Sequence, residues 1–529
     1  METFTPAERA ALAPYFTDLD GPVFALVNLP EVVKGALFAR YSRSPKSLRR
    51  LFLEEFLESA GAGAPLSGVG TARADRLYER VFSEYGDDSV AQLGGVHLAC
   101  EGASNLLTKV LEWGRLMAYL EQSTRYIAYT DRPDGRWRYH VPAELEGHAL
   151  RTRYVETLDR AFGTYARWIE PLKSHWAARL VRPPDAGDAA WGFTVRAKAL
   201  DSLRGLLPAA TRSSVGIFGT GQAYEALLLR MRRHPLAEVR DYAGRMLVEL
   251  RKVIPAFLQR VDRPDRGGVW SDYLEEARRE TAAVSARLLA GVEPEPRGLV
   301  TLTDFDPDGE IKVVAAALYA SSRLPDDQLL AIARKLEPAE RRQVLAAYVG
   351  ARSNRRHKPG RAFERTSYRF DVLGDYGAFR DLQRHRLLTL EWQPLSTRHG
   401  WEAAEEIEAA GALDEWRRVM DDSAGLYEAL VSAGLPDVAP YAVAMAYRMR
   451  YYMELNAREA MHLIELRTAP QGHPAYRRIG QAMHRLIATQ AGHRAIAAAM
   501  TFANLSDAEE GRLAAERAAE HRRATRDAS

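Results

Sequence analysis

Apolar positions change their period within the first sixty residues, from strand type to helical. Residues 22–29 (PVFALVNL) form a short apolar run of strand type, and residues 30–41 start a helix with proline in its first turn, where the missing N–H costs nothing. Residues 47–59 (SLRRLFLEEFLES) repeat leucine and phenylalanine at helical spacing and predict a helix that packs into a core. The Gly- and Ala-rich residues 60–67 break the pattern and predict a flexible stretch. Farther on, residues 125–129 and 136–141 predict two strands around a Pro-Asp-Gly turn at 131–135, and residues 152–176 carry the periodicity of one long helix. In residues 291–298 (GVEPEPRG) two prolines and two glutamates exclude regular structure and predict a linker.

Beyond that linker the pattern returns. AAALYASSRLP (315–325) echoes GALFARYSRSP (35–45), and LVTLTDFD echoes the opening strand. A period this long is no solenoid unit and implies duplication of a whole domain. At 529 residues and 59.1 kDa the chain has room for two to four domains of about 150 residues. Lys and Arg total 73 against 70 acidic residues, a net charge of +3, which excludes the global basic field of a nucleic-acid binder and leaves anion binding to local clusters. The single cysteine, Cys100 in GGVHLACEG, reads as a buried inert thiol and rules out an internal disulfide. No apolar run reaches the roughly 18 residues of a membrane span and no secretory signal opens the chain, so a cytoplasmic protein is expected.

Candidate chemistry concentrates in residues 384–399 (RHRLLTLEWQPLSTRH). Arg384, His385 and Arg386 are followed ten residues later by Ser396 and then Arg398, giving two anion-gripping clusters on either side of an apolar turn. Guanidinium forks match phosphate oxygens, although a basic run is most often only solvated surface. The run resembles the signature RHRxxSxNExSxRY of the flavin-dependent thymidylate synthases. RHR is intact, Thr389 stands at the first serine, and Ser396, Thr397 and Arg398 supply SxR. Two extra residues separate the halves, Glu391 and Trp392 blur the NE pair, and His399 replaces the final tyrosine.

The first half resembles the same family. Glu121, Ser123, Arg125 and Tyr126 match ExSxRY without gaps, and Arg115 falls on the third residue of RHR. Arg115 and Arg386 are 271 residues apart, Arg125 and Arg398 273. Gly86 and Ser89 fit the segment GHxSxxEH, whose His, Glu and His are Asp87, Gln92 and Leu93 here; Glu101, Gly102 and Ser104 fit EGxSR, with Asn105 for the arginine. Arg204 and Pro208 lie in an element like ARxxLP. Arg230 stands at the arginine that the family sets on the uracil ring, and Gly219 and Gly221 replace the Asn and Arg of its NxR flavin contact. In the second half Asn456, Arg458, His462 and Arg467 fit NxRxxxHxxxxR, whereas Tyr441 or a neighbour stands where the arginine of the LP element belongs.

The resemblance implies an α+β fold of two tandem thymidylate synthase-like copies, helix-rich with a small antiparallel sheet in each. The expected boundaries are 1–290 and 299–505, joined by 291–298 and followed by a charged tail, 506–529. It implies reductive methylation of dUMP to dTMP, with FAD as cofactor and NADPH and methylenetetrahydrofolate as co-substrates. The losses look complementary, so a composite site between the copies is expected. Its substrate side would be Glu121, Ser123, Arg125, Arg204, Arg230, Ser396, Arg398 and Arg467, and its flavin side Arg115, Arg384, His385, Arg386, Asn456, Arg458 and His462. No protein nucleophile is needed in that chemistry, and no metal site is expected, since the histidines lack ligand spacing. The family is tetrameric, so a homodimer of this chain would be its equivalent, with no nucleic-acid or membrane partner. The alternative is a non-catalytic flavin- or nucleotide-binding relative with a regulatory or structural role.

Overall fold

The computed structural model describes residues 3–22, 24–41, 44, 46–57, 92–182, 184 and 187–506. The readings for Gly86, Asp87 and Ser89, for residues 60–67 and for the tail beyond Ser506 lie outside them. The fold is helix-rich with two small antiparallel sheets, one in each half of the chain. The chain divides into two compact units. One takes Met1–Ala103, Val110–Glu121 and Ser213–Val292; the other takes Ser104–Lys109, Gln122–Arg212 and Glu293–Ser529.

In the first unit the strands are β1 (Gly95–Ser104), β2 (Met117–Glu121) and β3 (Arg212–Thr220), in the order β1-β3-β2. Ser213, Val215 and Ile217 of β3 are buried at every second position, as one core-facing side of a pleated strand requires. Thr220 then caps the helix Gly221–Arg232 by accepting from the Ala223 N–H. Cys100 is buried in β1, and burial pushes its thiol up to about 11, which makes it inert at neutral pH. The strand expected at 22–29 is not formed among the described residues, where Leu26 makes one isolated bridge to Phe16.

The second unit holds β4 (Val300–Phe305), β5 (Ser367–Asp375), β6 (Leu388–Trp392) and β7 (Arg448–Asn456), all antiparallel, in the order β4-β5-β7-β6. Burial alternates along the central strands, Tyr368, Phe370 and Val372 against Met449, Tyr451, Met453 and Leu455. Both strands end on a short polar side chain that starts a helix. Asp375 accepts from the Ala378 N–H to cap Tyr376–Leu382, and Asn456 accepts from the Glu459 N–H to cap Ala457–Arg467. Phe379 anchors the shorter helix to the sheet through Tyr451 and Trp392, with ring centroids 4.9 and 5.5 Å away.

Residues 122–212, from the first half of the sequence, belong to this second unit. The expected long helix is present as Arg151–Arg179 and packs on Leu413–Ser432, with an Arg160–Asp422 ion pair of 2.9 Å at the contact. The strands expected at 125–129 and 136–141 are not formed. The backbone there makes only a bridge between Tyr139 and Thr211, flanked by hydrogen bonds His140 to Ala210 and Arg212 to Arg138. The LP element pairs instead with its counterpart in the second copy, antiparallel. Ala209 N–H donates to Val443 O at 2.8 Å and Met445 N–H to Leu207 O at 2.9 Å, about a bridge between Pro208 and Ala444. Because a Cβ on Gly205 would meet the Trp416 ring at 2.7 Å, only glycine fits this seam.

Candidate functional site

The Tyr376–Leu382 helix presents Asp381, and the RHR run follows at its end. Four arginines act on that carboxylate. Arg384 Nη2 donates to it at 2.6 Å, Arg204 Nη1 stands at 3.5 Å and Arg467 Nη1 at 3.9 Å, and the charge of Arg125 reaches it as well. Burial alone would raise Asp381, yet these cations hold it well below the usual carboxylate range. Two of the four come from the first copy and two from the second. The helix is tied to first-copy backbone by Tyr376 Oη donating to Asn105 O and Gln383 Nε2 donating to Lys109 O, each at 2.7 Å.

His385 is buried beside this cluster with both ring nitrogens engaged. Arg467 Nε donates to Nε2 at 3.0 Å, so Nε2 is unprotonated and Nδ1–H donates to Glu459 at 2.9 Å. Burial, reinforced by Arg467, Arg384, Lys358 and Arg386, keeps the imidazole neutral. His462 stacks edge-on against it at 5.4 Å, and burial pushes His462 down to about 4. Glu459 is raised by burial.

The sequence-based view that no histidine has ligand spacing with a carboxylate is corrected here, since ligand atoms of His385, Glu459 and His462 lie within 4.8 Å of one another. The hydrogen bonds still argue against a metal. Coordination at His385 Nδ1 would move its proton to Nε2, against the Arg467 N–H. The surroundings are also cationic, with Lys358, Arg355, Arg386 and Arg458 acting on these three groups. Such a rim suits an anion.

A cavity of about 160 Å³ opens beside the cluster, lined by Arg204, Trp416, Asp375, Glu402, His473 and Trp176. Two of its donors, Arg204 Nη2 and Trp416 Nε1, are buried with no hydrogen-bond partner among the described residues. Unpaired buried donors cost free energy, so they mark where acceptor atoms of a ligand fit. His473 accepts from the Ala475 N–H at Nδ1, and burial pushes it down to about 3.

The remaining residues singled out from sequence are placed as follows. Ser123 accepts from the Arg125 N–H and shapes the loop. Asn456 is a helix cap, and Arg458 donates to Pro359 O while its guanidinium reaches Glu364 at 3.5 Å. Arg386 and Arg398 are exposed, and Ser396 is buried in the loop after β6. In the first unit Glu121 is buried on β2, Arg230 lies over the Trp113 ring at 5.0 Å, and Arg115 is at an exposed turn. Asp201, Glu459, Lys358 and Trp416 had no sequence signal, because each becomes a partner only through the fold; Asp381 had only its spacing of three residues from Arg384.

Sensitivity to acid follows from the three buried histidines of this site, His385, His462 and His473. Each has a folded pKa below its unfolded value of about 6.5, so its contribution is complete above that pH and drains away as pH falls toward the folded values. The melting temperature should therefore drop by several degrees between pH 7 and pH 5, and an unchanged value would contradict this arrangement.

The family profile described as thymidylate synthase complementing protein matches residues 37–256 and again 299–491. A UPF0159 protein of Chlamydia muridarum is 37% identical over 518 residues, covering 96% of this chain and 97% of the relative. Another UPF0159 protein, from Thermoplasma acidophilum, is 30% identical over 515 residues, 91% of this chain and 97% of its own. A flavin-dependent thymidylate synthase of Clostridium tetani is 24% identical over 181 residues, 33% of this chain and 66% of that one. Among solved structures, a UMP/dUMP methylase from Streptomyces cacaoi bound with 5-Br dUMP matches at 20% identity and a TM-score of 0.30, covering 38% of this chain and 94% of its own; so slight a likeness carries no argument. No helix among the described residues is long and apolar enough to cross a membrane. With the same profile matched on both sides of the linker and whole-length relatives at this identity, the chain belongs to the thymidylate synthase complementing protein family, as two tandem, diverged copies.

Proposed function

We propose that the protein is a flavin-dependent methylating enzyme that transfers a one-carbon unit reductively to C5 of a deoxyuridine-type acceptor, with dUMP the first acceptor to test. Methylenetetrahydrofolate would supply the carbon and NADPH the hydride. The observation that carries this reading is the rim of Arg384, Arg386, Arg458 and Lys358 around a neutral imidazole, His385, whose tautomer is fixed by Arg467 and Glu459.

These residues fit FAD, because an anionic diphosphate needs clustered cations and its ring system needs a neutral, hydrogen-bonded neighbour. When bound, the flavin carries hydride from NADPH. The chain's own part is to orient and to neutralise. Arg384 and Arg386 hold the cofactor's charge, His462 packs behind His385, and Asn456 fixes the helix that carries both Glu459 and Arg467. Arg467 and Arg204 face charge that develops on the acceptor ring, as fixed cations in a site shielded from water. A cytoplasmic homodimer would match the family's tetramer.

The absorption spectrum of the protein as purified tests this directly. Flavin bands are expected, and the R384M/R386M double variant should lose at least nine-tenths of the bound flavin. Incubation with NADPH, methylenetetrahydrofolate and dUMP should yield dTMP. A colourless protein that takes up no added FAD would end the reading; flavin without methylated product would make the protein the non-catalytic binder.

A further inference from the structure

Arg125 differs from the other arginines of the cluster in having its hydrogen bonds already committed within the protein. Nε and Nη2 donate to the two oxygens of Asp201, each at 2.8 Å, in the bidentate geometry that a ligand phosphate would adopt. Nη2 also donates to Gln471 O at 3.0 Å and Nη1 to Tyr476 Oη at 2.9 Å. Four of the five N–H donors of the guanidinium are thereby used. Asp201 sits near the end of the helix Asp188–Leu203, and the two side chains are only 12% and 11% exposed. Burial would lower the Arg125 pKa, but the Asp201 carboxylate more than offsets this and raises it. The pair is therefore charged and held, whereas Arg204 Nη2 and Trp416 Nε1 stand in the same cavity with nothing to bond.

We propose that Asp201 is a built-in replacement for a ligand phosphate at Arg125, so that this cavity takes a neutral pyrimidine nucleoside, oriented through acceptor atoms on Arg204 and Trp416. The ligand class rests on the pyrimidine reading above; the replacement at Arg125 does not. An incoming phosphate has to displace a carboxylate tethered to the same fold, and a tethered group competes at millimolar or higher effective concentration. Asp375, Glu402 and Glu405 also line the cavity and offset the charge of Lys198, Arg477 and Arg478 there, so the lining offers a dianion no net positive field. Arg125 and Asp201 thus act as positioning residues, fixing the 122–126 loop against Tyr476.

Calorimetry on the full chain with deoxyuridine, dUMP and inorganic phosphate tests the idea. The wild-type protein is expected to bind deoxyuridine and dUMP within threefold of each other, with no phosphate binding that R125M abolishes. Asp201→Asn, nearly isosteric, should gain at least a tenfold preference for dUMP over deoxyuridine, and D201N/R125M should lose it. A wild-type preference for dUMP of tenfold or more that R125M removes would overturn the proposal, and this arm needs no Asp201 variant to fold. So would a folded D201N with no gain. If neither pyrimidine binds any form, the pyrimidine reading has failed, and the role of Asp201 is then decided by inorganic phosphate alone: binding gained in D201N and lost in D201N/R125M upholds it, and no gain overturns it.

Discussion

Replacing Glu465 with glutamine should destabilise the second unit by about 3–5 kcal/mol, the cost of leaving a buried charge without its counter-ion. Glu465 is bidentate with Arg352, at 2.7 and 2.6 Å, and the two side chains are 1% and 2% exposed. Arg352 also donates to Ala499 O at 2.7 Å and lies 5.1 Å from the centroid of Phe502, so the pair ties the C-terminal helices to the Ala457–Arg467 helix. The guanidinium cannot turn to water without giving up these contacts. Urea unfolding of E465Q should show the loss, and R352M/E465L should recover much of it, because a well-packed apolar pair removes the charge along with its partner. Equal losses in the single and double variants would show that packing, not the buried charge, sets the effect.

Asp381→Asn should cost a similar amount, about 3–5 kcal/mol, for the same reason on a larger cluster. It removes the carboxylate that lets Arg384, Arg204, Arg467 and Arg125 share one corner, leaving four like charges around an amide. The folded pKa of Asp381 is depressed, so its contribution is present above the ordinary carboxylate value of about 3.9 and is lost as pH falls below it. The gap between wild type and D381N should therefore be full at pH 7 and narrow below about pH 4. A gap independent of pH would mean that shape rather than charge holds the corner. D381N should also retain less flavin, since Arg384 loses its anchor.

The cations of this site were legible because they sit in short, contiguous patterns. Arg384, His385 and Arg386 are adjacent, and Asn456, His462 and Arg467 share one capped helix. Their carboxylates were not. Asp201 meets Arg125 across 76 residues and Glu459 meets His385 across 74, and nothing in the local sequence marks an acid that a fold will bring to a base. Periodicity succeeded for Arg151–Arg179, where many turns repeat the same apolar side. It failed at 125–129 and 136–141, where apolar and aromatic residues suit a strand but the partner backbone is long enough for only a bridge. Arg125 was legible as a site residue, yet its engagement with an internal carboxylate was not.

The seam between Leu207–Ala210 and Tyr441–Met445 joins the same element from both copies, side by side and reversed, as a twofold dimer contact would. Because residues 122–212 fold into the unit that also holds the second copy, neither half of the gene encodes a self-sufficient body. A change at either LP element is consequently felt by its twin. A contact of the kind that two separate molecules could share is thus made here within one chain, and each copy's element completes the other's backbone hydrogen bonds.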